Sequence, residues 1–549
     1  MIKAYELGAE IAISQLIRRV FDKFVGKDFT QEGQERFYFE VSPRQIVKRF
    51  SEKDLLLCHF ENDILTGIIA LRDSTHICLF FVDENFQRKG IGRSLFEHLI
   101  QEIDPSYKAL TVYSSINAVG TYEKLGFSAT DKKQVKDGIL YVPMKSDLCI
   151  NDLLISHMMR SLTNQVGNRA VGTAGNLKAT EYIDLIFKLH GWSTYQQRFD
   201  AIDWFCEEAY IEYGGRMMDV SASPYSLGCD DSAPLEIVTS IRELERCYCR
   251  DKVLLLCGEI AREQLMPKGF IFYQPEEHQR IISLLETKGP KVIICATGRN
   301  ASLAGGVYPF PLIEDGDFHI PSVLIKDIEG ESLKEQNGVT VHVFSDARRI
   351  DSCGYNVIAR KGPIDAEKIV ITAHIDAKKG SPGALDNAAG VAVLSCLSKL
   401  LKDHRGGFAI ELVVLNGEDH YNIPGQMRYL KDFDDDKSCI LNINIDGVGF
   451  LEGATAYSFY DTPYNITASM REVSEAFPHV IEGQSWVQGD HSMFVQMGYP
   501  AIAFSSDWFI RHFDEQQITH TEKDTMDIID VARINDTAMV IKSLIEDME

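Results

Sequence analysis

The hydrophobic pattern of residues 1–146 alternates between short apolar runs and amphipathic segments. After a helical N-terminus, the runs LLLCHF, ILTGIIALRD and THICLFFV are typical of strands, and a helical pattern extends from about Gly92 to Glu102. The strand-like ALTVYSS, the helical VGTYEKL and two further strands near FSATD and GILYVPM follow. This mixture predicts a mixed α/β domain over residues 1–146.

The rest of the chain shows two other patterns. After the polar stretch KSDLCIND, a helical pattern begins near Leu153, and ATEYIDLIFKLHGW ends at a glycine typical of a helix C-cap. Residues 203–345 contain shorter strand-like segments: EEAYIEYGG, KVLLLCGEI, KVIICATG, SVLIKDIEG and VTVHVFSD. We call residues 203–345 the insert.

From residue 346 onward, apolar strands alternate with helices. The strand-like runs are KIVITAHID, FAIELVVLN, CILNINIDG and PAIAFSSD, with helices over Ala388–Leu401 and around Thr467–Glu475. Such alternation predicts a mostly parallel central sheet flanked by helices. At 549 residues the chain is too long for one core. We therefore expect an α/β protein with a first domain over 1–146 and a second domain over 150–202 and 346–549, interrupted by the β-rich insert.

The charge distribution excludes one class of partner. The net charge is −24, and residues 1–146 contain 20 Lys+Arg and 20 Asp+Glu, so the remaining 36 basic and 60 acidic residues carry the whole surplus. An acidic second domain argues against nucleic-acid binding. It mildly favours cationic ligands or metal, although solubility alone would explain it.

The cysteines and the apolar runs bear on location. The twelve cysteines are scattered, without a C-x-x-C pair, and most lie in apolar runs, which favours reduced thiols over disulfides. No apolar run approaches the roughly 18–20 residues of a membrane-spanning helix. The amphipathic N-terminus does not resemble a secretory signal. We expect a cytoplasmic protein without a membrane partner; the oligomeric state is not predicted.

Polar residues that suit zinc follow several of the predicted strands. Ligands gather at the carboxyl ends of strands in a parallel α/β sheet, and imidazole and carboxylate are common zinc ligands. Singly, each residue has an ordinary explanation such as a surface pair, a helix cap or a turn. Their shared position favours a metal site. These residues are His374 and Asp376 in HID, Asp386 in GALDNAAG, Glu418 and Asp419 in NGEDHYNIPG, Asp446 in NIDGVG and His520 in HTEKDT.

In this order the motifs resemble those of the di-zinc exopeptidases, which include bacterial leucyl-type aminopeptidases and the glutamate carboxypeptidase group. The resemblance covers about residues 150–549. It implies that His374 and Asp446 bind one zinc ion. It also implies that Asp419 and His520 bind the second and that Asp386 bridges the two.

The same resemblance implies two roles beside the metal ligands. Glu418 would be the general base, and Asp376 would orient His374. Two zinc ions about 3.5–4 Å apart would activate a bridging water and polarise the scissile carbonyl. The cations would also explain why the adjacent carboxylates of Glu418 and Asp419 are tolerated at the end of an apolar strand.

Two features remain open within this resemblance. Where aminopeptidases of the family often have a tyrosine that stabilises the oxyanion, this chain has His491 in GDHSMF; imidazole can donate the same hydrogen bond. The alternative is a core histidine bonded to Asp490. The insert resembles a protease-associated domain in pattern and position.

A glycine-containing loop in the first domain predicts a phosphate site. THICLFFVDENFQRKGIGRSLFEHLI reads as a strand, a basic loop and a helix, and backbone amides at a helix N-terminus bind pyrophosphate. About thirty residues later, INAVGTYEKLGF supplies Asn117 and Tyr122. Gly90 and Gly92 would let the backbone of this loop approach a pyrophosphate, and Arg88, Lys89 and Arg93 make the loop basic.

This loop resembles the acetyl-CoA loop, Q/R-x-x-G-x-G/A, of the GNAT acetyltransferases over residues 1–146. The resemblance implies that the loop binds the cofactor through Val82, Gln87, Arg88, Lys89, Gly90, Ile91, Gly92 and Arg93. It also implies that Tyr122 protonates the departing CoA thiolate and that Asn117 contacts the pantetheine arm. A packing role for Tyr122 is the alternative. No general base is evident; His76, Asp83 and Glu84 are candidates by proximity in sequence.

Together these patterns predict a bifunctional enzyme. One half would transfer acetyl groups from acetyl-CoA to an amine, and the other would be a di-zinc metallopeptidase, an aminopeptidase on short peptides or aminoacyl compounds. Two alternatives stay open. They are a single-zinc glutaminyl cyclase-like acyltransferase and a non-catalytic protein that binds CoA or peptides.

Overall fold

The computed structural model describes residues 1–50, 54–104, 107–299, 301–433 and 438–549. It divides into two compact units, Met1–His157 and Met158–Glu549, called here the N-terminal and C-terminal units. The N-terminal unit extends past residue 146 because Ile150, Leu153 and Leu154 pack into its core.

Within its described residues the N-terminal unit contains eight strands and six α-helices, the last of which continues past His157. In chain order they are β1 (Ile2–Ala4), α1 (Glu10–Phe24), α2 (Gln31–Glu40), α3 (Pro43–Phe50), β2 (Leu56–Glu61), β3 (Ile64–Arg72), β4 (His76–Val82), α4 (Ile91–Glu102), β5 (Thr111–Ser114), α5 (Val119–Lys124), β6 (Phe127–Ala129), β7 (Gln134–Lys136), β8 (Ile139–Ser146) and α6 (Ile150–Arg160).

These strands form one sheet in the order β1-β2-β3-β4-β5-β8-β6, with β7 paired to β8. Side chains alternate between its faces: Leu57 and Ile69 pack with α4, whereas Leu56 and Ile68 pack with α1. Strands β4 and β5 are parallel but pair only at His76–Thr111 and Ile77–Val112. The paired region ends there, although β4 continues to Val82.

The described part of the C-terminal unit contains sixteen strands and eleven further α-helices. They are α7 (Ala174–Leu189), β9 (Ser193–Phe205), β10 (Ala209–Tyr213), β11 (Arg216–Asp219), β12 (Ser221–Ala222), β13 (Cys229–Val238), α8 (Ile241–Arg246), β14 (Val253–Leu256), α9 (Glu276–Lys288), β15 (Val292–Thr297), α10 (Ala301–Ala304), β16 (Ser322–Lys326), α11 (Asp327–Lys334), β17 (Thr340–Ser345), β18 (Arg348–Lys361), β19 (Lys368–His374), α12 (Ala389–Leu400), β20 (Ala409–Leu415), α13 (Pro424–Phe433), β21 (Cys439–Ile445), β22 (Thr455–Tyr460), α14 (Tyr464–Ser474), β23 (Val480–Glu482), α15 (His491–Gln496), β24 (Ala501–Ser506), α16 (Asp507–Arg511) and α17 (Val531–Asp547).

The central sheet of this unit has the order β23-β22-β24-β21-β19-β20-β18-β9. Its middle strands β24, β21, β19 and β20 are parallel. Every residue of β19 and β20 is buried, as expected for strands covered by helices on both faces. The predicted mixed α/β fold is therefore confirmed.

The insert forms a second sheet, in the order β11-β10-β17-β13-β14-β15-β16-β12. Strands β13 to β16 are parallel, and the sheet buries residues on both faces, with α9 on one side and α11 on the other. The insert is thus a layered α/β body rather than a purely β-rich one. None of the helices in the described ranges combines the length and apolar character needed to cross a bilayer.

Candidate functional site

The parallel strands of the C-terminal unit deliver polar side chains to one edge of the central sheet. His374 is the last residue of β19, and Asp446 directly follows β21. Asp419 lies in the loop after β20, and Asp386 lies in the turn that precedes α12. His520 comes from the loop after α16. Because β21, β19 and β20 are parallel neighbours, their carboxyl ends lie side by side.

These five side chains converge around Asp386. One oxygen of Asp386 lies 3.1 Å from Nε2 of His374, and the other lies 3.2 Å from Nε2 of His520. Asp446 approaches the same nitrogen of His374 at 3.6 Å. Asp419 approaches Nε2 of His520 at 3.0 Å. The cluster therefore has two halves that share Asp386.

The cluster contains buried ligand atoms without hydrogen-bond partners, as expected for a metal site. Within the described residues, His374 Nε2 and Asp419 Oδ2 are buried and have no hydrogen-bond partner. His374 Nε2 faces carboxylate oxygens at ion-pair distance without hydrogen-bond geometry. His374, Asp386 and Asp419 can each offer a ligand atom within 4.8 Å of the others. Unpaired buried polar atoms are costly, and a bound cation would satisfy them.

The electrostatics of the cluster also favour positive charge. Burial would lower the pKa of His374, but the carboxylates of Asp376, Asp386 and Asp446 outweigh burial and raise this pKa well above its ordinary value. Burial raises the pKa of Glu418 well above its ordinary value, and nearby carboxylates, including Asp446, add to the shift. The site therefore concentrates negative charge that cations would offset.

Asp376 holds the loop that carries the acidic pair. Its carboxylate accepts hydrogen bonds from the backbone N–H groups of Gly417, at 2.7 Å, and Asp419, at 3.0 Å. It also lies 3.6 Å from Nδ1 of His374, on the side of the ring opposite the ligand cluster. One buried carboxylate thus positions both the imidazole and the loop of Glu418.

A pocket opens over this cluster, and the insert forms one of its walls. Glu418, Asp386, Asp419, Asp446 and His520 all line it. The insert residues in the lining are Gln264, Leu265, Met266, Pro267, Phe270, Leu303, Gly305 and Glu314.

The insert fits closely against the loop of His520 in this wall. Gly305 has φ +64°, and a Cβ there would lie 2.8 Å from His520 Nδ1. The backbone N–H of Gly306 donates to the carbonyl of Thr519 at 2.9 Å.

His491 is buried behind Trp486, and the pocket lining includes Trp486 but not His491. Its Nε2 lies 3.0 Å from the carbonyl oxygen of Trp486, so this nitrogen carries the ring proton. Burial lowers the pKa of His491 to about 4, so Nδ1 has no proton to donate at neutral pH. Asp490 accepts a hydrogen bond from Gln426 instead. The oxyanion role of His491 stays a prediction.

The N-terminal unit presents the predicted basic loop between β4 and α4. Gly90 is the N-cap of α4 with φ +85°, which favours glycine, and no side chain caps this helix end. Gln87 is exposed, and its amide donates to the carbonyl of Val82 at 3.0 Å. Arg88 and Lys89 are also exposed, so the helix N-terminus has a positively charged approach.

Tyr122 lies near this loop through Phe80. Its ring packs against Phe80 at 6.1 Å and Phe127 at 5.6 Å between centroids. Gly92 also approaches Phe80, since a Cβ at Gly92 would lie 3.5 Å from that ring. Burial raises the pKa of Tyr122, so its hydroxyl stays protonated at neutral pH.

The other predicted residues of this site have local partners. Asn117 donates to the carbonyl of Phe24 at 2.6 Å, and its contact with a cofactor stays a prediction. Among the candidate bases, Asp83 pairs with Arg19 at 2.9 Å. Burial lowers the pKa of His76 to about 4. These contacts do not select one base.

Comparison with known proteins adds two family matches. Residues 25–148 match the acetyltransferase (GNAT) domain, and residues 356–545 match peptidase family M28. The chain joins a GNAT acetyltransferase domain to an M28 peptidase domain. Both are families of enzymes, so the chain is a bifunctional enzyme with GNAT and M28 aminopeptidase-like parts.

Relatives of the M28 part include known aminopeptidases. The probable lipoprotein aminopeptidase LpqL of Mycobacterium tuberculosis is 24% identical over 358 residues, 63% of this chain and 67% of that protein. Aminopeptidase YwaD of Bacillus subtilis is 24% identical over 332 residues, 59% of this chain and 64% of that protein. The chain thus spans about two thirds of the length of these relatives.

A solved structure shares the fold of the M28 part. The structure of BSAP, a zinc aminopeptidase from Bacillus subtilis, superposes with a TM-score of 0.54 at 21% identity, over 72% of this chain and 94% of that one.

Two buried residues of the C-terminal unit that sequence reasoning missed support the site. Arg169 donates to four backbone carbonyls, among them Ile375 at 2.9 Å and Gly383 at 2.8 Å, and so holds the backbone on both sides of the loop after β19. Asp524 accepts from the backbone N–H groups of Leu385 and Asp386 at 2.6 and 3.0 Å. Asp524 lies in HTEKDT, the motif that also contains His520, so its position in the sequence could have indicated a role at the site. No motif of the sequence indicated a role for Arg169.

Proposed function

We propose that the M28 domain is a di-zinc aminopeptidase. The observation that carries this proposal is the arrangement around Asp386, whose two oxygens face one imidazole each. In the proposal His374 and Asp446 hold one ion, Asp419 and His520 hold the other, and Asp386 is shared. The unpaired buried atoms of the cluster and its surplus of carboxylates support two cations better than one.

Zinc bound here would act as a Lewis acid toward the scissile carbonyl and make water more acidic. Glu418 lines the pocket beside the ligands without being one of them. In the proposed reaction its carboxylate takes a proton from the attacking water and gives it to the leaving amine. Asp376 keeps Glu418 in place through its two backbone hydrogen bonds to the loop.

Short peptides or aminoacyl compounds are the proposed substrates. The pocket combines the acidic cluster with apolar side chains such as Met266, Phe270 and Phe509, which suit an N-terminal residue with an apolar side chain. The names of LpqL, YwaD and BSAP support removal of N-terminal residues.

Metal analysis and one substitution test the proposal. Purified protein should contain about two zinc ions per chain and hydrolyse leucyl peptides. Glu418→Gln should keep its zinc and lose roughly 10²–10⁴-fold in kcat, because the amide cannot accept the proton. Active protein without metal, or a Glu418→Gln variant with full turnover, would contradict the assignment.

The two alternative functions predict different results. A glutaminyl cyclase-like enzyme should bind one zinc and cyclise N-terminal glutamine without cleaving peptides. A non-catalytic protein should bind peptides or CoA without turnover. The complete ligand set with Glu418 beside it favours the hydrolase.

For the GNAT domain we infer transfer of an acetyl group from acetyl-CoA to an amine. The exposed basic loop at the N-terminus of α4 suits the pyrophosphate, and the protonated hydroxyl of Tyr122 suits the departing thiolate. Beyond Ile77, strand β4 no longer pairs with β5, so its backbone groups on that edge are available to a cofactor lying between the two strands.

The cytoplasm stays the proposed location. Six of the twelve free cysteines are buried, which supports a protein that keeps its thiols reduced. The insert is proposed to be of the protease-associated type, a role that its place in the pocket wall supports.

A further inference from the structure

Lys378 brings a positive charge into the proposed substrate pocket. It lies two residues after Asp376, and its side chain lines the pocket with Glu418 and Asp419. Its Nζ lies 2.7 Å from Oε1 of Glu314, and 24% of the side chain is exposed. An ammonium group in a pocket lined by carboxylates needs an explanation beyond solubility.

Glu314 fixes the position of this ammonium group. Glu314 is buried, with 4% of its surface exposed, and belongs to the insert. Its second oxygen accepts from Nε2 of Gln264 at 3.0 Å. Since an ammonium group has three N–H donors and Glu314 takes one, two donors remain for a ligand in the pocket.

Lys378 stays charged in these surroundings. Burial would lower its pKa, but the negative charges of Glu314, Asp419 and Glu418 outweigh burial and raise the pKa above its ordinary value.

The ammonium group is paired with Glu314 and not with a proposed metal ligand. Of the acidic side chains in the described parts of the chain, Glu314 is the one within 4.0 Å of Nζ. A scissile carbonyl has to lie at the cluster itself. Lys378 is therefore available to a group of the substrate other than the reacting carbonyl.

The pocket is small enough for a short ligand. It has a volume of about 200 Å³ and opens to solvent, and this volume is below the roughly 300–1,000 Å³ of ordinary small-molecule sites. Leu265, Met266 and Pro267 of the insert wall it on one side. An anionic group near the scissile bond is found in a short peptide, whose C-terminal carboxylate follows the released residue directly.

We propose that Lys378, held by Glu314, binds the C-terminal carboxylate of the substrate, so that the M28 domain prefers dipeptides. This inference rests on the proposed aminopeptidase function. A charge-assisted hydrogen bond would attract a free carboxylate. Without Lys378 the acidic pocket would repel it.

The test compares leucyl-glycine with leucyl-glycinamide, which differ only in the terminal charge. Zinc-loaded wild-type protein should favour leucyl-glycine in kcat/KM by roughly 10–100-fold, as expected for a hydrogen bond between charged groups. Lys378→Gln should bring the two values close together, and Lys378→Arg should keep much of the preference.

Lys379→Gln is the matched control. The neighbouring Lys379 also forms an ion pair, with Asp203 at 2.8 Å, but is absent from the pocket lining. This variant should keep the wild-type preference. Calorimetric binding provides a second readout: leucyl-glycine should bind Glu418→Gln protein more tightly than it binds the Glu418→Gln/Lys378→Gln double variant.

Two results would overturn the inference. Equal cleavage of both compounds by wild-type protein would remove the carboxylate contact. An equal loss on both compounds in Lys378→Gln would assign the residue to the scissile group or to folding. If zinc-loaded wild-type protein cleaves neither compound, nor longer leucyl peptides, the proposed aminopeptidase function itself fails.

Discussion

At the residue scale, the C-terminal site shows how buried charges can be tolerated when each has a defined partner. Arg169 is almost fully buried, yet its guanidinium satisfies four backbone carbonyls, including those of Ile375 and Gly383 near the proposed metal ligands. Asp524 satisfies the backbone N–H groups at Asp386. These residues position ligands without binding metal in our proposal, which is why the chemistry of the motifs alone did not reveal them.

Tyr122 provides a residue-scale prediction for the GNAT domain. Tyr122→Phe should lower the rate of acetyl transfer by roughly 10²-fold or more, because the ring keeps its packing but loses the proton for the thiolate. Acetyl-CoA affinity should change little. CoA release measured with a panel of amines checks the rate.

The exposed Tyr113 on β5 offers the control, and Tyr113→Phe should retain transfer. If Tyr122→Phe transferred acetyl groups at the wild-type rate, Tyr122 would not be the proton donor and would serve only in packing.

At the element scale, the helices of the C-terminal unit are joined by buried polar contacts. His190, the C-cap of α7, lies with Nδ1 2.7 Å from the hydroxyl of Ser398 on α12. The indole of Trp192 donates to the backbone carbonyl of Ser398 at 2.8 Å. Burial, with help from Lys399, lowers the pKa of His190 to about 3. This contact between α7 and α12 therefore depends on a neutral imidazole.

His190 should make the folded state less stable as the pH falls below about 6.5. The unfolded chain binds a proton near pH 6.5, whereas the folded chain does so only near pH 3. The stabilisation is thus complete above pH 6.5 and is lost progressively below it. Between pH 7.5 and 5, wild-type protein should lose about 2 kcal/mol in unfolding free energy that His190→Gln does not lose.

Denaturant unfolding at the two pH values measures this difference. His479→Gln, at an exposed position, should behave as wild type. If wild type and His190→Gln showed the same pH dependence, the pKa of His190 would be the same in the folded and unfolded states, and the prediction would be wrong.

At the scale of the whole molecule, the two activities are predicted to reside in separate units. Each unit has its own sheet and core, and each proposed site uses residues of one unit. The acidic surplus lies in residues 147–549, where the proposed cations bind. The GNAT residues include no comparable set of metal ligands in our assignment.

Removal of metal should therefore separate the activities. Treatment of the full chain with a chelator should abolish peptide hydrolysis, and added zinc should restore it. Acetyl transfer should persist throughout. Both assays on the same sample provide the measurement, and a parallel loss of acetyl transfer would indicate that the activities depend on each other.

The periodicity of apolar residues was sufficient for much of the fold. The buried strands β19, β20, β21 and β24 are mostly apolar, and all four lie where the sequence predicted them. Strand β9 was missed because polar residues fill an outer strand that is only partly buried. The helices of the insert were missed because strand-like runs dominate its pattern.

The sequence by itself determined which ligand chemistry to expect, because imidazoles and carboxylates are common zinc ligands and parallel strands bring their carboxyl ends to one edge of the sheet. Only the tertiary structure decided what surrounds them. Arg169 meets Ile375 across 206 positions, and Lys378 meets Glu314 across 64. Such contacts depend on how separate elements pack in space, and no local pattern of residues encodes the distance between them.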